Sequence, residues 1–141
     1  MELIESSGLI NEVEHVYISL LGSESDRLEA KIALKGREKV HIVIESPSSD
    51  LVEFPALYAL QTYSNMSHPS TKILYMHTKG VRKNGWHPDY PIQWRKYMSF
   101  FMVEKYSVCF TALDKMKYST CGVLKLQSIY QGNFWWTTAG M

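Results

Sequence analysis

The stretch ILYMHTKG, residues 73–80, decides how this chain is read. Ile73, Leu74, Tyr75 and Met76 make a continuous apolar run, the pattern of a strand buried on both faces. The run passes directly into His77, Thr78 and Lys79, and Gly80 then lets the backbone turn sharply. An imidazole, a hydroxyl and an amine at the carboxyl end of a buried strand stand where open α/β sheets receive ligands. The competing interpretation is a solvated loop that is polar only because it is exposed.

Working outward, HVYISLL at residues 15–21 and VHIVI at residues 40–44 read as two further strands, the second apolar on both faces except for His41. Between them, residues 26–35 set Leu28, Ile32 and Leu34 among charges, a helical pattern closed by Gly36. Residues 2–7 read as the end of a helix stopped at Gly8. In EFPALYALQTY, residues 53–63, Pro55 suits a first helical turn, and Leu57, Leu60 and Tyr63 share one face. Beyond the HTKG run, residues 81–91 form a loop rich in Gly, Pro and Asn. Residues 92–110 read as one long helix or two abutting ones, with Trp94, Tyr97, Met98 and Phe101 at helical spacing. Residues 121–126 and 133–137 are the last strand candidates. Apolar strands alternating with amphipathic helices predict a single α/β domain over residues 1–141, its sheet covered by helices on both faces.

Composition narrows the function classes. An apolar fraction of 45% in 141 residues is enough for one core and argues against general disorder. A formal net charge of +1 provides no whole-molecule field for nucleic acid or an anionic membrane, although Lys72, Lys79, Arg82 and Lys83 cluster locally. Four Trp and nine Tyr either fill the core or line a ligand site. Cys109 and Cys121 show no metal-ligand spacing and do not make a disulfide framework, so a reducing compartment is expected. The chain has no apolar run long enough to span a bilayer, and MELIESSGLI lacks the basic and apolar regions of a signal peptide. The expectation is therefore a cytoplasmic location with no anchor.

Taken in order, SGLINEVEHVYISLLG, EFPALYALQ, ILYMHTKGV, IQWRKYMSFFMVEKYSVCFTAL and GNFWW resemble a glycosyltransferase-like family of the nucleotide-diphospho-sugar transferase superfamily, found in large DNA viruses of algae and in some bacteria. The marks of the resemblance are His77 to Gly80 ending a strand, Trp94 to Met98 opening a helix, and Gly132 to Trp136. It implies a Rossmann-like fold with a mostly parallel sheet, and transfer of a sugar from a nucleotide-sugar donor to an acceptor glycan. It also implies a chain shortened at both ends, without the first nucleotide-binding strand and without the later segment that supplies an acidic catalytic residue in many relatives. Where relatives carry Asp-x-Asp to hold manganese or magnesium on the diphosphate, this chain has His77, Thr78 and Lys79.

That replacement has a chemical reading. A leaving nucleoside diphosphate develops negative charge, which a metal ion or fixed cations can stabilise. Lys79 provides a point charge and Arg82 a bidentate fork. His77 can bond a phosphate or sugar hydroxyl, and Thr78 can donate one hydrogen bond or simply stabilise the turn. Glu53, ahead of a helix N-terminus, either is held by the helix dipole or grips sugar hydroxyls. Asp89 is a turn former or a weak metal ligand. Arg95, read as lying near a helix start, calls for an anionic partner. In the final strand Asn133 and Trp135 share one face and Phe134 and Trp136 the other; the first pair is assigned to a sugar pocket. A catalytic base is not identifiable. A catalytically silent carbohydrate- or nucleotide-binding module, or a piece of a longer transferase, stands as the alternative.

Overall fold

The computed structural model describes residues 1–78, 89–127 and 129–140, with residues 89–91 described by their backbone alone. Two units divide the chain, Met1–Tyr63 and Ser64–Met141. In the first, two short helices, α1 (Glu2–Ser6) and α2 (Leu9–Glu12), precede strand β1 (Val16–Leu21), helix α3 (Glu24–Leu34) and strand β2 (Val40–Ser46). β1 and β2 pair in parallel, from Val16 opposite Val40 to Leu21 opposite Ser46, with a register shift between Ile18 and Ser19. A parallel pair needs a crossover, and α3 is that crossover. It starts where the Ser23 side chain accepts the Asp26 N–H at 3.2 Å. Arg27 and Lys31 of α3 reach Glu45 on β2. Lys39 Nζ donates to the carbonyls of Ile10 at 2.8 Å and Val13 at 2.7 Å, satisfying the end of α2. Arg37 grips Glu5 with two nitrogens, at 2.6 and 3.2 Å, and so ties α1 to the turn before β2. That contact holds the Glu5 carboxyl below its usual range, through the hydrogen bond first and the charge attraction second, while desolvation opposes it. A short 3₁₀ turn (Ser49–Leu51) then leads into helix α4 (Phe54–Met66), with Pro55 in its first turn.

The second unit opens with strand β3 (Lys72–Tyr75). Helix α5 (Asp89–Ser99), a π-helical segment (Phe100–Glu104) and helix α6 (Tyr106–Asp114) follow. Four short strands complete it: β4 (Thr120–Gly122), β5 (Lys125–Leu126), β6 (Ile129–Tyr130) and β7 (Trp135–Thr138). β7 lies between β3 and β4 and is antiparallel to both. β5 and β6 form a small antiparallel ladder.

The expected mostly parallel, Rossmann-like sheet with helices on both faces is therefore corrected. Among the described residues there is one parallel pair, in the first unit, and the pairs of the second unit are antiparallel. The reason is physical. An apolar run reports that a strand is buried on both faces; it carries no information on the direction of its neighbour. Tyr75, 4% exposed, is as buried beside antiparallel β7 as it would be in a parallel sheet.

The core of the second unit is built on β7. Trp136 and Phe134 are each 1% exposed and on the same face, and Met98, Met102, Val103 and Leu113 are buried in the same unit; Phe110 stands edge-on to Trp136 at 5.1 Å. A buried indole N–H needs an acceptor, and Trp136 Nε1 donates to the Met102 carbonyl at 2.9 Å. Met102 sits in the π-helical segment, where Lys105 N–H bonds the Phe100 carbonyl five residues back. The wider turn divides residues 92–110, read in sequence as one long helix or two abutting ones, into α5 and α6. Cys109 on α6 and Cys121 on β4, read from sequence as no disulfide framework, are joined by a disulfide across a Cα–Cα distance of 5.5 Å. Lys72 meets Asp114 at 3.0 Å, linking β3 to the end of α6.

Candidate functional site

Three sequence motifs meet in the second unit. β3 ends at Tyr75, and two residues later the half-buried His77 bonds through Nε2 to the Gly132 carbonyl at 3.2 Å. A carbonyl only accepts, so Nε2 carries the proton. The same ring stands edge-on to Phe134, with centroids 5.3 Å apart. Gly132 has φ of +82°, in the left-handed region. It also lies against the WRKYM helix. A Cβ built on it would fall 2.7 Å from Trp94 Nε1 and 3.0 Å from Met98 Cε, and would overlap Met98 Sδ. Only a glycine passes there. His77, Gly132 and the Trp94–Met98 turn of α5 thus form one corner beside the carboxyl end of β3.

Asn133 continues this corner with φ of +57°, a conformation asparagine tolerates better than most residues. Its Oδ1 accepts the Trp135 Nε1–H at 3.0 Å, which holds the indole at a set tilt. Trp135 in turn packs on Tyr75, with centroids 5.3 Å apart. Phe134 and Trp136 point into the core, and Trp135 with Asn133 stays half-buried on the other side. An indole held by a hydrogen bond at its edge presents a flat apolar face, the surface on which the C–H side of a sugar ring stacks.

The remaining predicted residues are distributed as follows. Thr78 is exposed just beyond β3. Lys79, Gly80 and Arg82 lie outside the described residues, as does the Asp89 side chain, although the Asp89 backbone begins α5. Arg95 is exposed and sits well inside α5, because that helix begins at Asp89 and not at Trp94. The dipole argument for an anionic partner of Arg95 acts only within the first turn, so it no longer applies. Glu53 belongs to the first unit, half-buried, with its backbone carbonyl accepting the Leu57 N–H at 3.0 Å. Among the described residues no group of three or more His, Cys, Asp or Glu is arranged to hold a metal ion.

A separate concavity of about 240 Å³ lies along Tyr97, Phe101, Val108, Leu124 and the Cys109–Cys121 bond. Its lining is largely apolar, which suits a ring or an alkyl group better than a diphosphate. Tyr97 connects it to the motif corner by stacking on Trp94 at 5.5 Å.

The first unit holds a cluster that the sequence reading passed over. Tyr17 on β1 is directly opposite His41 on β2, and His15, two residues before Tyr17, shares its face. His15 Nδ1 and His41 Nε2 are 3.1 Å apart, and Tyr63 packs on Tyr17 with centroids 5.0 Å apart. The Tyr17 phenol is pushed up from its ordinary range, mainly by desolvation of its packed side and then by Tyr63 and Glu14. Parallel pairing of β1 with β2 creates this cluster, and hydropathy alone does not reveal it.

Residues 1–139 match the profile of DUF8361, a domain of unknown function. The chain belongs to this family. The match covers both units, so a DUF8361 domain includes the parallel pair as well as the antiparallel sheet. No curated protein and no solved structure matches the chain. No helix among the described residues is long and apolar enough to cross a membrane.

Proposed function

We propose that this DUF8361 domain is a glycosyltransferase that binds a nucleotide sugar and passes the sugar to an acceptor glycan. The observation that carries the reading is the meeting of HTKG, WRKYM and GNFWW at Gly132, through the His77 bond and the contacts to Trp94 and Met98. Core packing of Met98, Phe134 and Trp136 accounts for part of this meeting; the His77 bond to Gly132 and the half-buried Asn133–Trp135 pair lie outside that core and carry the functional reading. In this reading Trp135 stacks on the sugar and Asn133 orients the indole. Lys79 and Arg82, next in sequence to His77, stabilise the diphosphate. The acceptor hydroxyl attacks the anomeric carbon, and the nucleoside diphosphate leaves with the bonding electron pair. His77 acts as a positioning residue, since its Nε2 proton is committed to Gly132.

A cytoplasmic setting is part of the proposal. There Cys109 and Cys121 would be held as thiols, and the domain would have to stay folded without their bond.

The test is calorimetry of the full chain with uridine and guanosine diphospho-sugars, with and without manganese, followed by an assay for released nucleoside diphosphate. The expected result is donor binding that Lys79→Ala weakens by about 2 kcal/mol, the range for a hydrogen bond to a charged group. Unchanged affinity in Lys79→Ala removes that residue from the site. Binding with no turnover on any glycan favours a silent binding module, and no binding of any nucleotide sugar sinks the proposal.

A further inference from the structure

We propose that His15 and His41 form a binding site for a late first-row divalent cation, zinc or copper, in the first unit and independent of the transferase reading. The separation of His15 Nδ1 and His41 Nε2 is 3.1 Å. Two imidazole nitrogens bound to one zinc at about 2.0–2.1 Å, and meeting at roughly the tetrahedral to square angle, lie about 3 Å apart. The pair is therefore spaced for chelation without moving either backbone. In the absence of a cation the same spacing supports one N–H···N hydrogen bond, with one ring donating and the other accepting. A cation replaces that shared proton with two nitrogen lone pairs.

Backbone and packing preset this spacing. Tyr17 and His41 are cross-strand partners in a parallel pair, and His15 follows the same face two residues earlier. Tyr17 stacks on His15 with centroids 5.6 Å apart and an interplanar angle of 30°, and lies 5.6 Å from His41. The tyrosine thus packs against both rings, whose own centroids are 5.1 Å apart, and Tyr63 packs on the tyrosine in turn. Rings held in this way lose little rotamer freedom when a metal binds.

The ligand chemistry selects the metal class. Imidazole suits zinc, copper and nickel, whereas magnesium, calcium and manganese favour oxygen ligands. His15 is exposed and His41 half-buried, so solvent reaches the pair and water can complete the coordination sphere. Two protein ligands are fewer than the three of an ordinary open zinc site, so the remaining positions fall to water and the site is an exchangeable one. Copper should bind more tightly than zinc by the usual order of affinity.

The experiment uses the full chain titrated with copper(II) and with zinc chloride by calorimetry, with pulsed electron paramagnetic resonance of the copper-loaded protein. A single equivalent is expected, with two imidazole remote-nitrogen signals. His15→Ala and His41→Ala are each expected to lower affinity by at least about tenfold, the lower end of what even an outer-shell partner contributes. His68→Ala, at a histidine outside the pair, is expected to leave it unchanged. His15 is exposed, so its replacement leaves the fold intact, and circular dichroism checks this. Absence of binding to the wild type overturns the proposal. So does affinity unchanged in His15→Ala, or a spectrum with one imidazole nitrogen.

Discussion

Gly132→Ala tests the corner on which the functional reading stands. The substitution has two separable effects. Gly132 sits at φ of +82°, where an added Cβ costs about 1–2 kcal/mol through its clash with the local backbone. The new methyl group would also fall on Met98 and 2.7 Å from Trp94 Nε1. Met98 is 0% exposed and has no solvent to move into, so relief requires repacking, typically about 1–3 kcal/mol. The combined loss is about 2–5 kcal/mol. Gly36 provides the control: its φ is also +82°, and nothing stands within 4 Å of a built Cβ. Gly36→Ala should therefore show the backbone part alone, about 1–2 kcal/mol. Urea unfolding followed by circular dichroism compares the two variants. Tryptophan emission adds a reading local to residues 64–141, where all four tryptophans lie. A double variant, Gly132→Ala with Met98→Ala, should be less destabilised than the sum of the single variants, because the smaller side chain makes room for the methyl group. Equal losses in Gly132→Ala and Gly36→Ala, or strict additivity in the double variant, would refute the contact and with it the convergence of the three motifs.

Three further expectations follow from other contacts. Trp136→Phe removes the N–H that satisfies the buried Met102 carbonyl and should cost about 1–3 kcal/mol by urea unfolding; a loss no larger than the scatter of the assay would mean that carbonyl has another partner. Reduction of Cys109–Cys121 frees a loop with a sequence separation of 12 and should lower stability by about 3 kcal/mol, measured as a shift of the urea midpoint with added reductant. An unshifted midpoint, or linked peptides missing from a non-reducing digest, would contradict the bond. Because Arg37 lowers the Glu5 pKa in the folded state, its stabilisation is fully present above the ordinary carboxylate range and is lost as pH falls through the lowered value. Glu5→Gln should flatten that acid limb of the stability profile, and an identical limb in the variant would remove the pair from the account.

The candidate site was partly legible in residues 73–80 and 132–136, because side-chain chemistry and strand alternation are local properties. Alternation separated the buried Phe134 and Trp136 from the half-buried Asn133 and Trp135. The start of α5 was misread, since Trp94 looks like a helix start while Asp89 and the residues after it already have helical backbone. The π-helical turn at Phe100–Glu104 leaves no mark in the hydropathy pattern. The His15–His41 pair was invisible for a different reason. Its two residues are 26 positions apart and meet only when β1 and β2 pair in register.

The amino-acid sequence by itself determined where strands and helices form: the apolar runs at residues 15–21, 40–44 and 73–76 coincide with β1, β2 and β3 to within one or two residues at each end, and Pro55 marks a helix start. It also set which chemical groups stand at the end of β3. Only the tertiary structure decided that β7 returns antiparallel between β3 and β4, that Cys109 reaches Cys121, and that His77 spends its proton on Gly132. Hydrophobic burial is non-directional, so a sequence pattern specifies how much of a strand is covered and leaves open what covers it. Hydrogen bonds are directional, and partners distant in sequence are chosen only when the folded backbone brings them into line.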